Sequence, residues 1–172
     1  QSAFYILFNL LAGEMPDGSF KSIHLPLTPE YIGYNDLGLS EEFFTGTKPE
    51  IELIGEHQFK YHVNFDELGL SEETAALCVS RPTNPTANVL TDAEIKQLDQ
   101  IAQQADIPLI IDGAYGVPFP NINFVDVTPH WNNNTILVLS LSKLGLPGVR
   151  TGIVVANPEI IQAFSSANTV IN

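Results

Sequence analysis

The chain has 172 residues, the size of one domain, and can bury roughly 70% of the surface its unfolded form would expose. Hydrophobic residues at 44% against 16% charged exclude a disordered chain. Twenty acidic residues against seven basic ones give a net charge of −13, which argues against a nucleic-acid partner and against an anionic membrane surface.

The acid is uneven, with 13 of the 20 carboxylates in residues 1–75. Arg81 and Arg150 are the only arginines. Cys78 is the only cysteine and reads as a small buried side chain, so neither an internal disulfide nor a cysteine metal cluster is available. No apolar run reaches the length of a membrane span, and no secretion signal is visible. A cytoplasmic setting is expected.

Residues 2–12 are apolar on nearly all sides and read as a buried helix ending near Gly13. Ser22 to Leu27 reads as a short strand and Glu41 to Gly46 as a helical turn. Ile51 to Ile54 and Lys60 to Val63 are short strands, and Asn64 to Ser71 is a polar connector. Ala75 to Ser80 is a buried strand. Thr91 and Glu94 have the capping-box spacing, opening a helix to about Ala105 with Ile95, Leu98, Ile101 and Ala102 on one face. Strands follow at Pro108 to Asp112, Thr135 to Ser140 and Gly152 to Ala156, and a helix starts after Asn157-Pro158. Apolar strands alternating with helices predict an α/β fold: a mainly parallel sheet covered on both faces.

Ligands of such sheets bind at the carboxyl ends of the strands. The strand ending at Ser80 leads into Arg81-Pro-Thr-Asn84-Pro-Thr86. The next delivers Asp112-Gly-Ala-Tyr115, and the next Ser140-Leu-Ser142-Lys143, followed by a glycine-rich run to Arg150. A lysine there can form a covalent imine with a carbonyl. Hydroxyls, a glycine-rich turn and an arginine make a phosphate clamp. A carboxylate can keep a pyridinium nitrogen protonated, and a phenol and an amide can bond a phenolate oxygen. Together these are the requirements of pyridoxal 5′-phosphate.

Each motif alone is a turn signal; four in one order, each at a strand end, is not explained by turns. Ser140-x-x-Lys143 also fits a serine β-lactamase pattern, but no Ser-Asp-Asn or Lys-Thr-Gly follows. His24, His57, His62 and His130 lack metal-ligand spacing and read as surface or satisfied polar residues. No phosphate-binding P-loop, dinucleotide fingerprint or hydrolase elbow occurs.

Asn84-Pro-Thr, Asp112-x-x-Tyr115, Ser140-x-Ser-Lys143 and Arg150 resemble the class I and II aminotransferases, pyridoxal phosphate enzymes of fold type I. Four stretches narrow the resemblance to one branch of the family: 29–34, 58–63, 115–120 and 140–148. The resemblance implies a three-layer sandwich, of which residues 1–172 would be a single partial domain. That domain is the central part of the large, cofactor-binding domain, with the N-terminal arm and the C-terminal small domain outside it. It implies amino-group transfer between an amino acid and a 2-oxo acid by a cytoplasmic homodimer, with no nucleic-acid or membrane partner. Lys143 would hold the cofactor covalently and shuttle the proton. Asp112 would pair with the ring nitrogen, and Asn84 and Tyr115 would bond the ring oxygen. Ser140, Ser142 and Arg150 would bind the phosphate, Tyr31 would stack on the ring, and the first helix would aim its N-terminal amides at the phosphate. Ala87 stands where the family often has glycine, so the turn there must tolerate a Cβ. Another fold type I enzyme, such as a lyase or decarboxylase, and a non-catalytic domain are the alternatives. The chain alone is expected to fold but to lack activity, with the 2–12 helix as the apolar patch left exposed.

Overall fold

The computed structural model describes residues 1–116 and 125–171. Helix α1 (Ser2–Leu11) comes first, then strands β1 (Gly13–Glu14), β2 (Phe20–Leu25) and β3 (Phe44–Gly46). A hairpin, β4 (Glu50–Ile54) and β5 (Gln58–His62), precedes β6 (Thr74–Ser80) and helix α2 (Asp92–Gln104). Strands β7 (Leu109–Asp112), β8 (Thr135–Ser140) and β9 (Gly152–Val155) lead to helix α3 (Pro158–Ile171).

Seven of these strands form one sheet in the order β1-β2-β6-β7-β8-β9, with β3 on the other side of β2 from β6. Pairing is parallel from β3 through β2, β6 and β7 to β8, while β1 and β9 run antiparallel at the margins. The hairpin β4–β5 is a separate two-stranded sheet.

Strand residues alternate between two cores, as a pleat with period two requires. Ala76, Cys78, Ile110, Ile136 and Val138 face Phe4, Leu7 and Phe8 of α1. Leu77, Val79, Leu109, Ile111, Leu137 and Leu139 face Ile95, Leu98 and Ala102 of α2. Helix, sheet and helix thus make the three layers expected. Cys78 is fully buried, and burial pushes its thiol well above the ordinary range.

Helix α2 starts where the sequence predicts. The Thr91 hydroxyl accepts from the Glu94 N–H, and the Glu94 carboxylate accepts from the Thr91 N–H at 2.8 Å. Burial alone would raise the Glu94 carboxyl. The bonds from Thr91 and Val63, with His62 nearby, hold it below its ordinary value instead. Arg81 is buried and structural. Its Nε donates to the Leu90 carbonyl at 2.7 Å, Nη1 to the Thr128 carbonyl at 3.0 Å, and Nη2 pairs with Asp92. Hydrogen bonds from Thr128 and Arg81 hold Asp92 down to about 2.

Two expectations are corrected. Residues 41–46 are not a helical turn: Phe44–Gly46 pair in parallel with Ile23–Leu25, because the edge of β2 offers unpaired backbone groups. The first helix is not the exposed apolar patch, since Phe4, Ile6, Leu7 and Phe8 are all buried. Of its large apolar side chains only Leu10 is exposed, whereas the hairpin exposes Ile51, Leu53, Ile54 and Phe59, and β9 and α3 expose Ile153, Val155, Val170 and Ile171. The connector at 64–71 also contains a short 3-10 turn, Phe65–Glu67. Among the described residues no helix is long and apolar enough to cross a membrane, and no cluster of metal-ligating side chains occurs.

The capping box and the α2 face give a graded prediction. Thr91→Ala should cost about 1 kcal/mol of stability, and Leu98→Ala, at a fully buried site, about 3 kcal/mol. Urea midpoints at unchanged slope check both; equal losses would show that the cap is as deeply committed as the core.

Candidate active site

Parallel pairing brings three strand ends to one level. Ser80 is the register partner of Asp112, and Asp112 of Val138, two residues before Ser140. These strand ends and the loops leaving them carry Asn84, Asp112, Tyr115, Ser140, Ser142, Lys143 and Arg150, and the loop after β2 carries Tyr31. Tyr31, Asn84, Asp112, Tyr115, Ser140, Ser142, Lys143 and Arg150 all line one cavity of about 230 Å³, with Gln1 and Phe4 at the start of α1 on its wall.

Asp112 forms the buried base of the site. Its Oδ1 accepts from the Ala114 N–H at 2.9 Å, and its Oδ2 accepts from the Tyr34 hydroxyl at 2.8 Å. Burial raises the Asp112 carboxyl, and the Tyr34 and Ala114 hydrogen bonds pull the other way. The Tyr34 phenol is itself pushed well up, by burial first and by the Asp112 charge second. A hydroxyl that keeps its proton is a dependable donor, so Tyr34 fixes one oxygen of Asp112 and the Ala114 amide the other.

The Lys143 Nζ lies 4.7 Å from the Tyr115 ring centroid, a cation–π approach that places the amine over the phenol. The Ser142 N–H donates to the Ser140 hydroxyl at 3.3 Å, turning the chain tightly after β8. Arg150 is exposed at the rim, and its Nη1 reaches the Ser142 hydroxyl at 3.3 Å. Opposite, the Tyr31 ring meets Tyr34 edge to face at 5.4 Å, within an aromatic cluster completed by Phe4 and Phe8.

The Asp112–Tyr115 turn depends on Gly116. A Cβ there would lie 2.4 Å from the Arg81 carbonyl oxygen, a backbone atom that cannot swing away. Ala87, where the family often has glycine, sits at φ 55°, in the left-handed region that costs a residue with a Cβ.

Two participants escaped the sequence reading. Tyr34 closes the matching stretch 29–34, but nothing local signals its bond to a residue 78 positions away. Glu30, beside Tyr31, turns inward. Its Oε1 accepts from the Ser80 N–H at 2.8 Å, and its Oε2 from the Tyr31 N–H at 3.0 Å and from the Ser80 hydroxyl. The one available clue was an acid in an otherwise apolar Pro-Glu-Tyr-Ile run.

The donor set fits pyridoxal phosphate: a buried carboxylate at the base, an amine over a phenol, an amide, and two hydroxyls beside an arginine at the rim.

The model of the family aminotransferase class I and II matches residues 55–172. The chain belongs to the class I and II aminotransferases, and its fold is the fold type I architecture. It is 57% identical over all 172 residues to the valine–pyruvate aminotransferase of Escherichia coli K12, of which it spans 41%. A crystal structure of valine–pyruvate aminotransferase from Salmonella typhimurium LT2 superposes with a TM-score of 0.90 at 55% identity, over 99% of this chain and 42% of that one. A structure of a putative amino-acid aminotransferase from Psychrobacter arcticum gives 0.93 at 50% identity, over 99% and 41%. The branch suggested by the four stretches is thus the valine–pyruvate one; residues 117–120, in the third stretch, lie outside the described residues.

Both backbone features can be tested by single changes. Ala87→Gly should raise stability by about 0.5–1 kcal/mol, since relief of the left-handed strain exceeds the entropy that glycine adds to the unfolded chain. Gly116→Ala should lower the unfolding temperature and displace Tyr115. An unchanged melting curve for Gly116→Ala would mean that the turn can move off Arg81 freely.

Proposed function

We propose that the protein carrying this chain transfers an amino group between an amino acid and a 2-oxo acid with pyridoxal phosphate. Its pair is L-valine and pyruvate, giving 3-methyl-2-oxobutanoate and L-alanine. The observation that carries the reading is the convergence of Tyr31, Asn84, Asp112, Tyr115, Ser140, Ser142, Lys143 and Arg150 on one cavity. The choice of valine and pyruvate rests on the 57% identity to an enzyme so named. On this reading residues 1–172 are the central part of the cofactor-binding domain. The chain alone is inactive, and the whole enzyme is a cytoplasmic homodimer.

Bound pyridoxal phosphate supplies a conjugated ring that draws electrons from the substrate α-carbon. This chain's residues do the rest. Lys143 would hold the cofactor through Nζ and then carry the α-proton on that nitrogen. Asp112 would set its carboxylate against the ring nitrogen and keep it protonated, with Tyr34 and Ala114 fixing the carboxylate plane. A cation beside Asp112 offsets the burial that otherwise raises its carboxyl, so the ionised form is favoured in the loaded site. Asn84 and Tyr115 would bond the ring oxygen, and Tyr31 would cover a ring face. Ser140, Ser142 and Arg150 would hold the phosphate beside the N-terminal amides of α1, whose Gln1 is on the cavity wall.

Two experiments on the full-length protein test this. Borohydride reduction after loading should fix the cofactor on the peptide containing Lys143; label on Lys60 or Lys96 overturns the assignment. Asp112→Asn keeps the shape but removes the charge, and should lower valine-to-pyruvate transfer by about 10³-fold while the cofactor still binds. Near-normal turnover would reduce Asp112 to a turn residue. Release of carbon dioxide without alanine formation would instead point to a decarboxylase.

A further inference from the structure

Glu30 contributes a second carboxylate beside the base of the cavity, and the proposed chemistry does not use it. Its side chain reaches inward from the loop after β2. It gathers three donors: the Ser80 amide at 2.8 Å, the Ser80 hydroxyl, and the Tyr31 amide at 3.0 Å. Ser80 is the last residue of β6 and the register partner of Asp112 on β7. Glu30 thus ties the backbone of Tyr31, on one wall, to the strand end that flanks Asp112.

We propose that Glu30 is a positioning residue of the pyridoxal phosphate pocket. Its carboxyl clamps the Tyr31 loop to the end of β6 by accepting from the Tyr31 amide and from the Ser80 amide and hydroxyl, and so holds in place the strand end that flanks Asp112. This role rests on the proposed function. Glu30 does not line the cavity and so acts through Tyr31, Ser80 and Asp112.

Burial and a neighbouring carboxylate make the clamp sensitive to pH. Burial first, and the Asp112 charge in addition, push the Glu30 carboxyl up to about 7, against the pull of its three hydrogen bonds. The titratable groups that sense it are Asp112 on β7, Cys78 on β6, and Tyr34 on its own loop. Burial holds the Cys78 thiol and the Tyr34 phenol neutral, which leaves Asp112 as the charge that Glu30 meets. Two carboxylates sharing a site do not ionise together readily, so the Glu30 carboxyl takes up a proton more readily than a free one.

A carboxyl raised in the fold binds its proton more tightly there than in the unfolded chain. Its contribution to stability is therefore complete below about 4.5 and is lost as the pH rises through about 7. The test uses full-length apoprotein in three forms: wild type, Glu30→Gln and Ser80→Ala. Thermal unfolding should show wild type losing stability relative to Glu30→Gln between about pH 4.5 and about 7, and a constant difference outside that window. Ser80→Ala, which removes a hydrogen bond that favours the ionised carboxyl, should move the upper limit of the window to higher pH. Titration with pyridoxal phosphate, followed by absorbance, should give a Kd about fivefold weaker for Glu30→Gln, since an amide cannot serve all three donors. Superimposable pH profiles for wild type and Glu30→Gln overturn the pH sensitivity, and an unchanged Kd overturns the clamp. A wild type that binds no pyridoxal phosphate overturns the pocket reading itself, and the cofactor role of Glu30 with it, whatever the stability profiles show.

Discussion

The parallel register of β6, β7 and β8 is the constraint on which the site depends. Hydrogen bonding sets Ser80 beside Asp112 and Asp112 beside Val138, so three chain segments far apart in sequence leave the sheet at one level. No side chain in the cavity needs to find its partners unaided. The register holds because alternate residues of these strands are committed to opposite cores. A slip by one residue would turn Cys78 and Ile110 toward α2, and Leu77 and Leu109 toward α1. The apolar burial that stabilises the layers is therefore also what aligns the polar groups at their edge.

Electrostatics at that edge follow from the same geometry. A sheet covered on both faces offers little water at its strand ends, so Asp112 and Glu30 both meet a desolvation penalty. The fold meets it with hydrogen bonds rather than countercharges. Tyr34 and Ala114 serve Asp112, and Ser80 and Tyr31 serve Glu30. Positive charge is kept to the rim, at Lys143 and Arg150, where both side chains are exposed. An anionic base and a cationic rim suit a ligand with a basic ring at one end and a phosphate at the other, and would set its direction of entry.

What the sequence disclosed was what local chemistry encodes. The strands from β6 onward read as continuous apolar runs, and α2 carries its capping box in four residues. Asn84, Asp112, Tyr115, Ser140, Ser142, Lys143 and Arg150 were legible because they sit at or after strands whose ends could be located, whereas Tyr31 was legible only through the family resemblance. Less was legible where a feature depends on contacts made at long range. β3 has three residues, too few for any period, and forms only because the edge of β2 is open. The helix α1 has no polar face to reveal which side is covered, and its buried side chains are set by the sheet beneath it. Tyr34 and Glu30 belong to the site through bonds to residues 78 and 50 positions away. The family resemblance fixed the loop that holds them without stating what either side chain does.

The two arginines show how the same residue type takes opposite roles through burial and partners. Arg81 follows β6 directly and, by sequence position alone, would belong to the site. Its guanidinium turns the other way, beneath the start of α2. The Leu90 and Thr128 carbonyls and the Asp92 carboxylate there engage all three of its nitrogens. A buried guanidinium so engaged cannot also grip a ligand without leaving acceptors unsatisfied. Arg150 is exposed, and among the described residues only its Nη1 is engaged, at 3.3 Å from Ser142 and 3.5 Å from the Pro147 carbonyl. Donors with weak partners at the mouth of a cavity can turn to a phosphate at little cost, and a bidentate guanidinium suits that anion. Arg81 joins β6, α2 and the 128 loop into one frame, and that frame lets the segment from Lys143 to Arg150 present its charges without having to hold the fold together.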